Sequence, residues 1–190
     1  MYSIHNISLF KEYKEKLITD YEILKRKLLA CRELNMKIVL TIGSWDVLHV
    51  GHNRYLLEAK KLGDILVVGA DSDRLMKLYK GEHRPLTEEA IRLEMLSYQA
   101  FIDFITIIDD CDDEGNWQLK LIKTVPVDLF VAVEGDSYTE GQLAEIKKYC
   151  GELKLIPRQA EHVSTTMFIQ KVLKQHPMIK DLATLIEKYT

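Results

Sequence analysis

Ten consecutive residues concentrate the reactive side chains of this chain: Gly43-Ser44-Trp45-Asp46-Val47-Leu48-His49-Val50-Gly51-His52. Two histidines three positions apart project from one face of a helix with about 3.6 residues per turn. A helix opening inside this stretch puts both in its first turn, where unpaired backbone N–H groups and the helix dipole favour an anion. Gly51 leaves room for a phosphate or a backbone to approach closely, and Gly43 permits a tight turn out of a strand. Asp46 is placed to cap the incoming amides. Together these residues describe a phosphate cradle with two imidazole donors. Two other readings stay open. The pair could hold a metal, although no third ligand lies nearby, or both could be core or surface histidines without a function. A dinucleotide site lacks its motif, since no G-x-G-x-x-G follows any expected strand.

The elements that must position this stretch are legible from periodicity. Residues 8–34 carry Phe10, Tyr13, Leu17, Tyr21, Leu24 and Leu28 at three-to-four spacing among many Glu and Lys, which predicts an amphipathic helix. From Lys37 the pattern changes to short β-branched and apolar runs: KIVLTIG, DILVVGA, DFITII, DLFVAV and ELKLI. Between them lie helical segments: NRYLLEAKKLG, a polar stretch after the second strand, TEEAIRLEMLSYQA, WQLKLIKTV and TEGQLAEIKKYC. STTMFIQKVLKQ reads as a helix opened by a serine cap, and PMIKDLATLIEKYT as one more short helix.

Strands alternating with helices imply right-handed βαβ crossovers. The expected class is α/β, a Rossmann-like doubly wound parallel sheet of about five strands flanked by helices, with extra helices at both termini. The expected organisation is an N-terminal helical extension over 1–36, the α/β domain over 37–175 and a C-terminal helical extension over 176–190. Sheets of this kind bind ligands at the carboxyl ends of their strands, and the histidine stretch follows the first strand.

Composition narrows the partners. At 190 residues the chain supports one sizeable core. A formal net charge of −3 gives no electrostatic argument for nucleic acid or an anionic membrane. The three cysteines, Cys31, Cys111 and Cys150, are widely spaced and odd in number, which suits a reducing cytoplasm. The first residues turn charged too soon for a signal peptide, and no apolar run approaches membrane-spanning length. The expectation is a cytoplasmic protein.

G-x-x-D-x-x-H-x-G-H, carried here by Gly43, Asp46, His49, Gly51 and His52, resembles the signature of the cytidylyltransferase-like nucleotidyltransferases. Most members have Phe where this chain has Trp45, a change of aromatic size. A second motif agrees: His162–Gln170 resembles the family's late I-S-T-T element, in which Ser164, Thr165 and Thr166 open a helix facing the triphosphate. Lys80, Gly81, Arg84 and Pro85 resemble the K-G-x-x-R-P loop of the heptose-phosphate adenylyltransferases, and Arg158 resembles the arginine preceding the late motif. Two departures from the pattern stand out. Ala100 stands where glycerol-phosphate and choline-phosphate cytidylyltransferases have arginine, and Val133 and Glu134 precede Gly135 and Asp136 where heptose enzymes have lysine.

The resemblance implies transfer of a nucleoside monophosphate from ATP or CTP, ATP slightly favoured, to a phosphorylated sugar, polyol or alcohol. It implies catalytic roles for His49, His52, Lys80 and Arg158. Nucleotide contacts would come from Gly43, Ser44, Trp45, Asp46, Gly51, Gly135, Asp136, Ser164, Thr165 and Thr166. Acceptor contacts would come from Asp71, Asp73 and Arg84. Mg²⁺ would arrive with the nucleotide, with no dedicated protein metal site, and the family analogy points to a homodimer. A catalytically silent nucleotide-binding module is the alternative.

Overall fold

A computed structural model describes residues 15–112, 114, 116–135, 138–160 and 163–175. Five strands form one all-parallel sheet: β1 Ile38–Gly43, β2 Ile65–Asp71, β3 Phe104–Ile108, β4 Leu129–Val133 and β5 Glu152–Ile156. Their spatial order is β3-β2-β1-β4-β5, so the strand order reverses beside β1. The helices are α1 Tyr21–Glu33, α2 Val50–Lys60, α3 Asp73–Lys80, α4 Glu89–Ser97, α5 Lys120–Thr124, α6 Glu140–Ile146 and α7 Thr165–Gln175. This is the doubly wound α/β class expected. Among the described residues no helix is long and apolar enough to cross a membrane.

Covering both faces of a parallel sheet demands continuous apolar strands, and β2 is buried along its whole length. The strand period of two then divides the core between the faces. Ile38 and Leu40 of β1 join a cluster with Leu24, Leu28, Leu121, Ile122 and Phe130. Val39 enters the opposite cluster with Leu56, Leu66, Val68, Leu93 and Val131. The apolar stripe of α1 therefore packs into the sheet's own core through Leu24 and Leu28, both fully buried.

The helix expected over 8–34 starts only at Tyr21 within the described residues; residues 1–14 lie outside them. Asp20 caps it, accepting from the amides of Glu22 at 2.8 Å and Ile23 at 3.1 Å. Ahead of the cap, Leu17 bridges to Ile105 in parallel, and the Ile18 amide donates to the Ile105 carbonyl at 2.8 Å. The outer edge of β3 needs backbone partners, and this demand overrides the helical spacing of residues 15–20. The WQLKLIKTV segment is helical only over Lys120–Thr124. Trp117 instead bridges back to Cys111 around Asp112, whose carboxylate accepts from the amides of Glu114 and Asn116. The short helix expected after Pro177 lies outside the described residues.

Candidate active site

Leaving β1, the chain crosses Ser44–Leu48 before α2 begins. Trp45 and Val47 adopt positive φ values of 51° and 50°. For a β-branched residue this left-handed conformation costs about 1–2 kcal/mol, so the surroundings must hold it. Trp45 is buried and its indole N–H donates to the Gly69 carbonyl of β2 at 2.8 Å. A phenylalanine could not make that bond, so Trp45 changes chemistry as well as aromatic size.

Asp46 is 2% exposed and caps no amide of α2. Its carboxylate turns to the segment between α3 and α4, accepting from the amides of Leu86 at 3.1 Å and Thr87 at 3.0 Å and pairing with Arg84 at 2.7 Å. The N-cap is His49. Its Nδ1 accepts from the amides of Gly51 at 3.1 Å and His52 at 3.4 Å, while His52 Nδ1 accepts from the His49 amide at 3.4 Å. With both Nδ1 atoms occupied as acceptors, each neutral ring carries its proton on Nε2 and presents an N–H donor there. The rings stack 3.8 Å apart.

Charge agrees with that tautomer. Burial, together with His49, Lys80 and Arg158, pushes the His52 imidazole down to about 3. Burial and then Arg158 lower His49 as well. Gly51 makes room for the rings: a Cβ there would lie 2.9 Å from the His49 ring and 3.1 Å from Ala160. A Cβ on Gly43 would sit 3.1 Å from the Trp45 indole, so this glycine admits that ring.

These residues line a cavity of about 770 Å³ at the carboxyl ends of the strands. Around its wall stand Gly43, Ser44, Trp45, Asp46, Gly51 and both histidines, with Asp71, Lys80, Arg84, Arg158, Ser164, Thr165 and Thr166. Residues separated by more than a hundred positions are thereby brought together. Lys80, at the end of α3, donates to Ser44 Oγ at 2.7 Å, and burial lowers its ammonium while Asp71 pulls the other way. Ser164 Oγ accepts from the Met167 amide at 3.1 Å and so caps α7, as expected. Thr165 donates its hydroxyl to the Asp46 carbonyl at 2.6 Å.

Two assignments fall away from the cavity. Asp73 faces Arg92 at 2.7 Å and accepts from the Glu89 amide at 3.1 Å, so it braces α4 rather than lining the cavity. Gly135 turns the chain after β4 with φ of 79° and is likewise absent from the lining, while Asp136 lies outside the described residues. Among the described residues no group of three or more His, Cys, Asp or Glu side chains could hold a metal ion.

Arg92 was not anticipated. Only 1% exposed, it donates to the carbonyls of Ser44 at 2.6 Å and Thr87 at 3.0 Å. Glu88 and Glu89 lie one turn earlier, a pattern typical of a solvated helix face; the place of Arg92 on one face with Leu96 is the signal the sequence offers. Tyr55, Tyr79, Trp117, Tyr138 and Gln142 also line the cavity and belong to no short motif.

Known proteins resemble this arrangement. The model of the cytidylyltransferase-like family matches residues 40–181. Bifunctional protein HldE of Campylobacter fetus is 38% identical over 154 residues, which is 78% of this chain and 32% of that protein. Its counterpart in Geobacter metallireducens is 39% identical over 143 residues, 74% of this chain and 28% of the relative. The chain thus spans about a third of the length of these relatives. The lipopolysaccharide core biosynthesis protein of Thermoplasma volcanium matches with a TM-score of 0.55 and 28% identity, over 66% of this chain and 99% of that one. Pantoate-beta-alanine ligase of Francisella tularensis gives a TM-score of 0.56 at 12% identity over 90% and 85% of the two chains, a likeness of fold alone. With the family match covering most of the residues that build the sheet and the cavity, this chain belongs to the cytidylyltransferase-like family.

Proposed function

We propose that this domain transfers a nucleoside monophosphate from a nucleoside triphosphate to a phosphorylated sugar, polyol or alcohol, releasing pyrophosphate. The observation that carries the reading is the stacked histidine pair, its Nδ1 atoms spent on backbone amides and its Nε2–H donors left for phosphate oxygens. An oxygen of the phosphomonoester attacks the α-phosphorus; the bond from that phosphorus to the bridging oxygen breaks and pyrophosphate leaves with the electron pair. The attacking oxygen is already anionic near neutral pH, so no general base is required. Catalysis is then positioning and stabilisation of charge.

His49 and His52 donate to α- and β-phosphate oxygens. Lys80 and Arg158 neutralise the departing pyrophosphate, and the α7 start with Ser164, Thr165 and Thr166 holds its far end. Gly43, Ser44, Trp45, Asp46 and Gly51 shape the nucleotide side, while Asp71 and Arg84 face the acceptor. Mg²⁺ would arrive as part of the nucleotide substrate and would offset phosphate charge there. ATP is favoured over CTP by the Lys80–Pro85 loop, which resembles that of heptose-phosphate adenylyltransferases. A homodimer, proposed from family analogy, is checked by sedimentation equilibrium.

The test is pyrophosphate release with ATP, CTP, GTP and UTP in turn, with Mg²⁺ and a panel of phosphomonoesters, His49→Ala serving as control. Release with one nucleotide and acceptor, abolished by the substitution, supports the transferase. Ala100 in place of the family arginine favours a second reading, a nucleotide-binding module without turnover. Tight nucleotide binding without release would select that reading.

A further inference from the structure

One end of the cavity is left unused by the phosphate-binding residues. Its floor, at the carboxyl ends of β2, β3 and β4, is lined by Asp71, Ile108, Trp117, Ala132, Tyr138 and Gln142. The Trp117 and Tyr138 rings lie 6.4 Å apart at 45°, and Tyr138 packs edge-on against Phe130 at 5.8 Å. The Trp117 indole N–H is buried without a hydrogen-bond partner among the described residues. Asp71, 8% exposed, accepts the Tyr79 hydroxyl at 2.6 Å on one oxygen. Burial raises its carboxyl above the usual range, and Lys80 and Arg92 are the positive charges that face it.

An unpaired donor, a buried carboxylate and two aromatic faces are complementary to a particular chemistry. A hydroxyl both accepts from an N–H and donates to a carboxylate, and the C–H face of a carbon skeleton packs on aromatic rings. An ammonium group offers no acceptor to the indole N–H. It would also meet the Lys80 and Arg92 cations already gathered around Asp71.

We infer that this floor receives the carbon skeleton of the phosphomonoester, and that Trp117 and Asp71 select an uncharged, hydroxylated skeleton over an ammonium-bearing one; the inference rests on the transferase reading for the identity of the ligand as an acceptor. The chain has two tryptophans, so a ¹H–¹⁵N spectrum of the full chain contains two indole N–H signals, which Trp117→Phe assigns. The chain is titrated with mannose 1-phosphate, glycerol 3-phosphate and phosphoethanolamine in the presence of a non-hydrolysable ATP analogue. The Trp117 signal is expected to move with a hydroxylated monoester, and phosphoethanolamine to bind at least tenfold more weakly. Trp117→Phe is expected to weaken the hydroxylated monoester about tenfold while leaving nucleotide affinity unchanged, since only a hydrogen bond to the acceptor is lost.

A Trp117 signal that stays in place with both hydroxylated monoesters, or equal binding of phosphoethanolamine, would overturn the inference. Moving signals without any pyrophosphate release would overturn the transferase and support the subsite. Release with an unmoved Trp117 signal would overturn the subsite alone.

Discussion

His52 is neutral at pH 7 because burial and neighbouring cations outweigh the nearby Asp46 carboxylate. Its folded-state value of about 3 lies below the unfolded value of 6.5, so the unfolded chain takes up the proton first. The stability tied to this group is present above pH about 6.5 and is lost as pH falls from there toward 3. The stability difference between the wild type and His52→Gln is therefore expected to change in the variant's favour between pH 7 and pH 5, as read by urea unfolding. A second expectation concerns turnover. His49→Gln, with circular dichroism unchanged, is expected to lower pyrophosphate release about a hundredfold by removing one preorganised donor. The histidines were legible because residue type and three-residue spacing carry their meaning locally. The role of Asp46 was not: its partners Arg84, Leu86 and Thr87 lie 38 to 41 positions away, and only the folded chain brings them together.

At the scale of elements, α2 begins against its own cap. Gly51→Ala would force the His49 ring and Ala160 apart, which is expected to weaken nucleotide binding and to cost about 1–3 kcal/mol of stability. Isothermal titration and urea unfolding of the same variant measure the two effects. Helix α1 is held by burial: Leu28→Ala is expected to cost about 2–5 kcal/mol in equilibrium unfolding. A loss below 0.5 kcal/mol would show that α1 is detachable. Strands β1 to β4 were legible because strands covered on both faces are apolar almost throughout, whereas β5, at the sheet edge and mostly exposed, shows only Leu153, Leu155 and Ile156 as apolar positions. The beginning of α1 was not, since Leu17 and Tyr21 keep helical spacing while the chain at Leu17 serves the β3 edge. The Trp117 segment was missed for a similar reason: polar bonds around Asp112 outweigh a helical pattern that is short.

Across the whole molecule, the parallel order β3-β2-β1-β4-β5 sets the first and last motifs beside one cavity, where single-motif reading could only anticipate that they meet. A ligand seated there touches residues from β1 to α7, so nucleotide at a hundred times its dissociation constant is expected to stabilise the fold by about 2.7 kcal/mol. Thermal unfolding with and without the nucleotide measures this.

Asp46 has one further consequence for the cavity. Its carboxylate holds the segment from Arg84 to Thr87, and its carbonyl accepts the Thr165 hydroxyl at the start of α7. In the proposed reaction these two walls would meet different ligands, and both hang from one residue. Whatever shift one ligand imposes on Asp46 is transmitted to the wall contacting the other, and linkage makes the effect reciprocal: each ligand changes the other's affinity by the same factor. Asp46→Asn, which loosens one wall and leaves the backbone carbonyl in place, would bring that factor toward one, leaving two sites that fill independently.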